Sequence, residues 1–311
     1  MQTVWRVFHL FLLLALILVP VGCALRNPIS PLTATVVRSG DLARDGNAAM
    51  EQGDWEEAER KLEEAVKLNR DEIETRLHYA EALWMRGKQS EALAILYDAA
   101  ERSTKQMEKS QAAASAAAKL LELGKNDVAV SWADQCVRET PRDYRGWWLR
   151  AKALMRIGNE YEKAGRHATA QRCYWDACND FYRALAFQPP ERELLPELAR
   201  LQMQMNEPEH ALATWQHLLR LYPPGDEPAI AFCGKGDTLA LMGRFDDAAD
   251  CFVTASLREP DNLAICLRHV ELELQAGRTE QAKQAFLQAE RLAPHHPAVR
   301  QLAGNMNAGV R

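Results

Sequence analysis

No part of the 311-residue chain alternates apolar and polar side chains for long enough to make a half-buried strand, so helices are expected throughout. Catalytic signatures are missing too. There is no G-x-S-x-G, no phosphate-cradling glycine loop and no H-E-x-x-H. His295 and His296 follow a proline at a helix junction and read as solvent-exposed rather than as a metal pair. Glu56, Glu57, Glu59, Glu63 and Glu64 share helix faces with Lys61 and Lys67, the pattern of a solvated surface rather than of paired catalytic carboxylates. Cys136, Cys173, Cys178, Cys233, Cys251 and Cys266 include no C-x-x-C and read as small core residues, with a disulfide among Cys233, Cys251 and Cys266 left open. A net charge of −5 offers nucleic acid no general attraction. No enzyme, metal site or cofactor is expected.

What the chain does contain is a recurring frame. Gly243, Ala248, Phe252, Ala255 and Pro260 are repeated 34 residues later by Gly277, Ala282, Phe286, Ala289 and Pro294. Traced backwards, the alanines run Ala58, Ala92, Ala129, Ala177, Ala211, Ala248 and Ala282, and the bulky residues four later run Leu62, Leu96, Ala133 (a weak one), Phe181, Trp215, Phe252 and Phe286. The small residue lets two antiparallel helices approach, the bulky one falls on the same face and fills the gap, and Pro141, Pro189, Pro223, Pro260 and Pro294 stop helices they cannot continue. Gly53, Gly87, Gly124, Gly243 and Gly277 suit the turns between paired helices. A period of this length marks a helical solenoid. The A-x3-F and trailing-P spacing resembles the tetratricopeptide repeat. The resemblance implies an all-α, right-handed superhelical solenoid of about seven helix-turn-helix repeats, and a protein that holds other proteins.

Departures from the period predict the irregularities. Ala92 to Ala129 and Ala211 to Ala248 each span 37 residues, which predicts three extra residues in inter-repeat loops, around Ser103 to Ser110 and at Tyr222 to Asp226. Pro141 to Pro189 spans 48. The excess predicts an elongated fourth repeat with both helices longer by about two turns and Gly165 near the hairpin tip. A loop over Ile157 to His167 is the alternative. Residues 39–296 form the predicted solenoid and 297–311 a capping helix and tail, which an exposed terminal repeat generally needs.

At the amino terminus, Arg6 and His9 precede the apolar run Leu10 to Val21, followed by Gly22, Cys23 and Ala24. The run is short for a spanning helix and has the plan of an export signal. A cysteine directly after such a run resembles the bacterial lipoprotein signal, which would make 1–23 the signal and Cys23 the lipidated residue. An uncleaved anchor and plain secretion are the alternatives. Residues 24–38 read as a flexible tether because prolines and small polar residues bury little. The resemblance implies a protein exported to the bacterial cell envelope, membrane-anchored through lipid, and periplasm-facing, with Ala24 implying release to the outer membrane.

In solenoids of this family the first helix of each unit lines the concave groove. Carried onto this chain, that points to Arg145, Trp148, Lys152 and Arg156 in the fourth unit and to Arg192, Arg200 and Met203 in the fifth. Cations beside an aromatic and a methionine suit protein partners or acidic peptides. The other reading is that the arginines merely solvate a helix face while Trp148 packs beside Trp147. The family's carboxylate clamp is not reproduced, because Ala43 stands one turn before Asn47 where a lysine belongs. Charge is uneven: residues 39–72 carry eleven acids against five bases, and residues 138–187 carry ten bases against six acids. The expected function is a non-enzymatic envelope scaffold or adaptor, and the alternative is a permanent structural subunit of an envelope assembly or secretion machine.

Overall fold

The computed structural model describes residues 31–308, and these hold fifteen α-helices and no strand. Fourteen of them form seven antiparallel hairpins. These are α1 (Pro31–Glu51) with α2 (Trp55–Leu68), α3 (Ile73–Met85) with α4 (Gln89–Arg102), α5 (Gln106–Glu122) with α6 (Asn126–Glu139), and α7 (Tyr144–Lys163) with α8 (His167–Leu185). The last three are α9 (Glu191–Gln204) with α10 (Pro208–Arg220), α11 (Ala229–Leu241) with α12 (Phe245–Arg258), and α13 (Leu263–Gln275) with α14 (Thr279–Leu292); α15 (Pro297–Ala308) follows. The chain divides into two compact units, with the boundary in sequence falling within α4, between Ile95 and Leu96.

In the first unit, Ala58 and Leu62 of α2 are fully buried with Ala49 of α1 and Ala82 of α3. Helix α1 starts at Pro31, so residues 31–38 are helical and the tether expected there is corrected. The physical reason is position: a proline in the first turn gives up only an N–H that has no helical partner anyway. Ser39 then ties α1 to α2, its Oγ donating to the Ala65 carbonyl at 2.9 Å. Residues 24–30, and Cys23 with the whole export signal, lie outside the described residues.

In the second unit, Ala129, Ala177, Ala211, Ala248 and Ala282 have no exposed surface, and Phe181, Trp215 and Phe252 are buried beside them. Where the frame has only Ala133, the neighbouring Trp132 stacks on Tyr97 with ring centroids 4.6 Å apart and fills the space. The hairpin turns need a residue in the left-handed region. Glycine supplies it in six hairpins, and in the fifth Asn206 does so at φ 59°, one of the side chains that tolerates that region.

The fourth hairpin is elongated, with 20 and 19 residues in α7 and α8 against 13 and 14 in α13 and α14. Ile157 to Lys163 are helical, so the loop alternative falls, and Gly165 sits in the tip turn at φ 72°. Its two helices touch at Gly158, where a Cβ would come within 2.5 Å of the Tyr174 ring. One insertion is corrected. The extra residues before Ala129 lengthen α5, which has 17 residues, and leave only 103–105 as a link. Gln106 to Ser110 contain no helix breaker, so the backbone satisfies its hydrogen bonds by adding a turn. The other insertion does form a loop, between Arg220 and Ala229. At the far end, Val299 and Leu302 of α15 are buried against Cys266, Val270, Ala285 and Ala289.

The six described cysteines are free, so the disulfide left open among Cys233, Cys251 and Cys266 is not formed. Burial pushes the Cys178 and Cys233 thiols up to about 11, because the uncharged thiol is favoured away from water. The raised folded pKa means this stabilisation is present below the ordinary thiol pKa and is lost as pH rises toward about 11. At pH 8, alkylation by iodoacetamide should therefore be slow in the folded chain and complete once denaturant is added, as read by mass. Rapid native labelling of Cys178 would contradict the burial.

Candidate partner-binding face

The face is built where α7 meets α9. Tyr144, Trp148 and Lys152 recur at four-residue spacing along α7, so they share one side of that helix. The Trp148 ring lies tilted against Tyr144, with centroids 6.2 Å apart, and the Lys152 ammonium sits 5.2 Å from the Trp148 ring centre. Both residues reach one carboxylate on α9. Trp148 Nε1 donates to Glu197 Oε2 at 3.0 Å, and Lys152 Nζ lies 2.9 Å from Glu197 Oε1. Arg200 follows one turn later, exposed and with no ion-pair partner among the described residues, and Met203 is half-buried beyond it. The result is a partly covered aromatic platform, with an exposed cation one turn along α9 from the carboxylate it holds.

Three of the expected cations are committed elsewhere. Arg145 turns back on Asp143, the residue capping α7, with Nε 2.9 Å from Oδ2. That hydrogen bond raises the Arg145 pKa. Burial pushes the Asp143 carboxyl up, and the bonds from Arg145 outweigh it, leaving the carboxyl below its ordinary range. Arg156 donates to the Leu121 carbonyl at the end of α5, satisfying an acceptor that a helix terminus leaves open. Arg192 donates to the Leu221 carbonyl at 2.5 Å, with its guanidinium 4.4 Å from the centre of the Tyr222 ring. The structure thus brings Trp148 and Lys152 together on Glu197, places Arg200 and Met203 farther along α9, and removes Arg145, Arg156 and Arg192 from the site.

Two carboxylates were missed. Glu197 lies three residues before Arg200 on the same helix, and a search for cations alone passes over it. Asp180, buried on α8, receives Arg150 through two bonds of 2.7 Å, while Arg150 also holds Asp134 at 2.6 Å. The Arg150 guanidinium stands 4.8 Å from the centre of the Trp147 ring and Arg183 stands 4.6 Å from it, so Trp147 serves this ion cluster and Trp148 the α9 contact. The available signal was an acid three residues after a frame alanine, a place other units fill with residues such as Ala285 or Cys251.

Elsewhere the surface is quiet. Glu57 and Glu64 pair with Arg60 at 2.5 and 3.3 Å and Glu63 with Lys67 at 2.7 Å, as a solvated face should, while His295 and His296 are exposed. Among the described residues, no cluster of three metal-ligating side chains occurs and no helix is long and apolar enough to cross a membrane.

Tetratricopeptide-repeat family models match residues 44–108 and 239–306. A tetratricopeptide repeat protein from Parabacteroides merdae ATCC 43184 is similar in structure, with a TM-score of 0.57 and 17% identity over 87% of this chain and 99% of that one. The human IFIT1 dimer with m7Gppp-AAAA is also similar, with a TM-score of 0.53 and 15% identity over 85% of this chain and 65% of that one. At such identities the likeness speaks for the fold alone. No curated protein matches the sequence.

Proposed function

Starting from a chain that is a tetratricopeptide-repeat protein, and so carries a protein-interaction fold, we propose that it is a non-enzymatic adaptor of the bacterial envelope. In this reading a lipid on Cys23 holds it at the membrane, facing the periplasm, and the α7–α9 face binds an acidic segment of a protein partner. The observation that carries the proposal is the Tyr144–Trp148–Lys152 platform held on Glu197, with Arg200 exposed one turn farther along α9. An acidic side chain can reach the unpaired guanidinium, and apolar parts of the same segment can cover the half-buried rings. Lys152 keeps donors beyond the one given to Glu197. Nucleic acid is outside the proposal, since the net charge is −5.

The test is crosslinking and capture from envelope membranes with the full chain. Trp148→Ala should weaken capture by about 1 to 3 kcal/mol if the ring is a central contact. Arg200→Glu should weaken it further at low salt than at high salt, because screening removes the repulsion. Arg172→Glu, an exposed residue of α8, serves as control. Equal capture by all three variants would move the binding site elsewhere. The exposed Leu257 of α12 and Leu287 of α14, at 76% and 56%, favour a second reading, in which the chain is a permanent subunit of an envelope assembly.

A further inference from the structure

Before α1 packs on α2 at Ser39, its first two turns carry Leu32, Val36 and Val37 at 77%, 50% and 52% exposure. Leu32 and Val36 are four residues apart, so they lie on one side of the helix, with Val37 beside them. An apolar patch at the start of a helix, followed by the exposed Arg38, has no cover among the described residues. Two features of the chain say what covers it. Residues 24–40, which follow the proposed lipidation site, contain Arg26 and Arg38 and not a single acid, the first being Asp41. And Cys23 stands eight residues before Pro31, a separation that eight extended residues span in at most about 29 Å.

We infer that the first two turns of α1 lie in the surface of an anionic bilayer, with Leu32, Val36 and Val37 in the headgroup boundary and Arg38 against the lipid phosphates. The inference rests on the membrane-anchor reading for what brings α1 to the bilayer. Apolar side chains at the boundary leave water, and a segment with only positive charge is drawn to anionic lipid. The short tether would then hold the first hairpin against the membrane rather than at the end of a loose leash.

The experiment places an environment-sensitive fluorophore on Val36→Cys or Met85→Cys in the full chain, with labelled wild type subtracted for native thiols. Met85 is the reference because it is equally exposed, at 50%, in the same unit. The chains are reconstituted into phosphatidylcholine vesicles with brominated acyl chains, with and without phosphatidylglycerol. Expected are bromine quenching at position 36 and none at position 85, stronger with phosphatidylglycerol and lost in Leu32→Ser/Val37→Ser. Membrane-bound chain with equal quenching at both positions, or none at 36, overturns the inference. A spectral shift at 36 without quenching also overturns it and gives the patch to the upstream segment or to a second copy. The mass of the membrane-bound wild-type chain separates the two readings: absence of an acyl group on Cys23 refutes the lipid anchor, whereas bromine quenching at position 36 alone decides the α1 contact. Failure of every form to bind vesicles refutes both.

Discussion

Arg150→Met is expected to lower the unfolding free energy by about 3 to 5 kcal/mol, the cost of leaving a buried charge without its partner. Asp180 is that charge, with 3% of its side chain exposed and both carboxylate oxygens held by the one guanidinium. The hydrogen bonds that Arg150 donates to Asp180 raise the Arg150 pKa, so the cation persists at any accessible pH. Methionine keeps much of the apolar stem that lies along Trp147 and removes only the charge and its bonds. The measurement is urea unfolding followed by the helical circular dichroism signal. Removing both charges, in Arg150→Met/Asp180→Leu, should recover most of the loss, since a well-packed apolar pair often replaces a buried ion pair without penalty. A single variant as stable as wild type would show that Asp180 accepts water in the folded chain.

Trp215→Ala should cost a comparable amount, about 3 to 5 kcal/mol, from lost burial and the cavity left behind. Trp215 is 1% exposed and lies against Gly234 of α11, where a Cβ would come within 2.2 Å of the indole. The two positions are therefore one steric unit. Gly234→Ala alone forces the ring to shift, at about 1 to 3 kcal/mol for overpacking. Trp215→Phe together with Gly234→Ala should cost less than the sum of the single changes, because the smaller ring makes room for the methyl group. Trp215→Phe also removes an indole N–H that has no hydrogen-bond partner in the buried site. Thermal unfolding of the four chains checks the cycle, and strict additivity would deny the contact.

The frame alanines and their bulky partners were legible because contact between two helices selects them at a fixed helical spacing. Ala177 with Phe181 and Ala248 with Phe252 are chosen by space, and space leaves a mark in residue size. The 14-residue excess in the fourth unit was readable for a related reason, since no proline stands between Pro141 and Pro189 and no loop-rich stretch interrupts them. Gln106 to Ser110 gave no such mark: a polar, breaker-free stretch has the same composition in an exposed helix as in a loop. Pro31 misled in the other direction, because proline ends a helix from inside and begins one from its first turn. The α7–α9 face was half legible. Helical spacing put Trp148 and Lys152 together, but only three-dimensional packing shows that Glu197 answers both, or that Arg145 folds back on Asp143.

The long fourth hairpin also bears on the order in which the second unit assembles. Hairpin contacts are local in sequence, and local contacts form with little loss of loop entropy. In a stack whose stability is a sum of repeat and neighbour terms, the repeat with the most internal burial is the one from which structure spreads. Helices α7 and α8 bury Ala151, Ala170, Tyr174, Ala177 and Phe181 between them and offer Leu194 and Leu198 of α9 a ready surface. Folding of residues 96–308 is accordingly expected to start in the middle and travel outward. Amide protons are therefore expected to exchange slowest around Phe181, which native-state hydrogen exchange checks, and the platform at Trp148 rests on that segment.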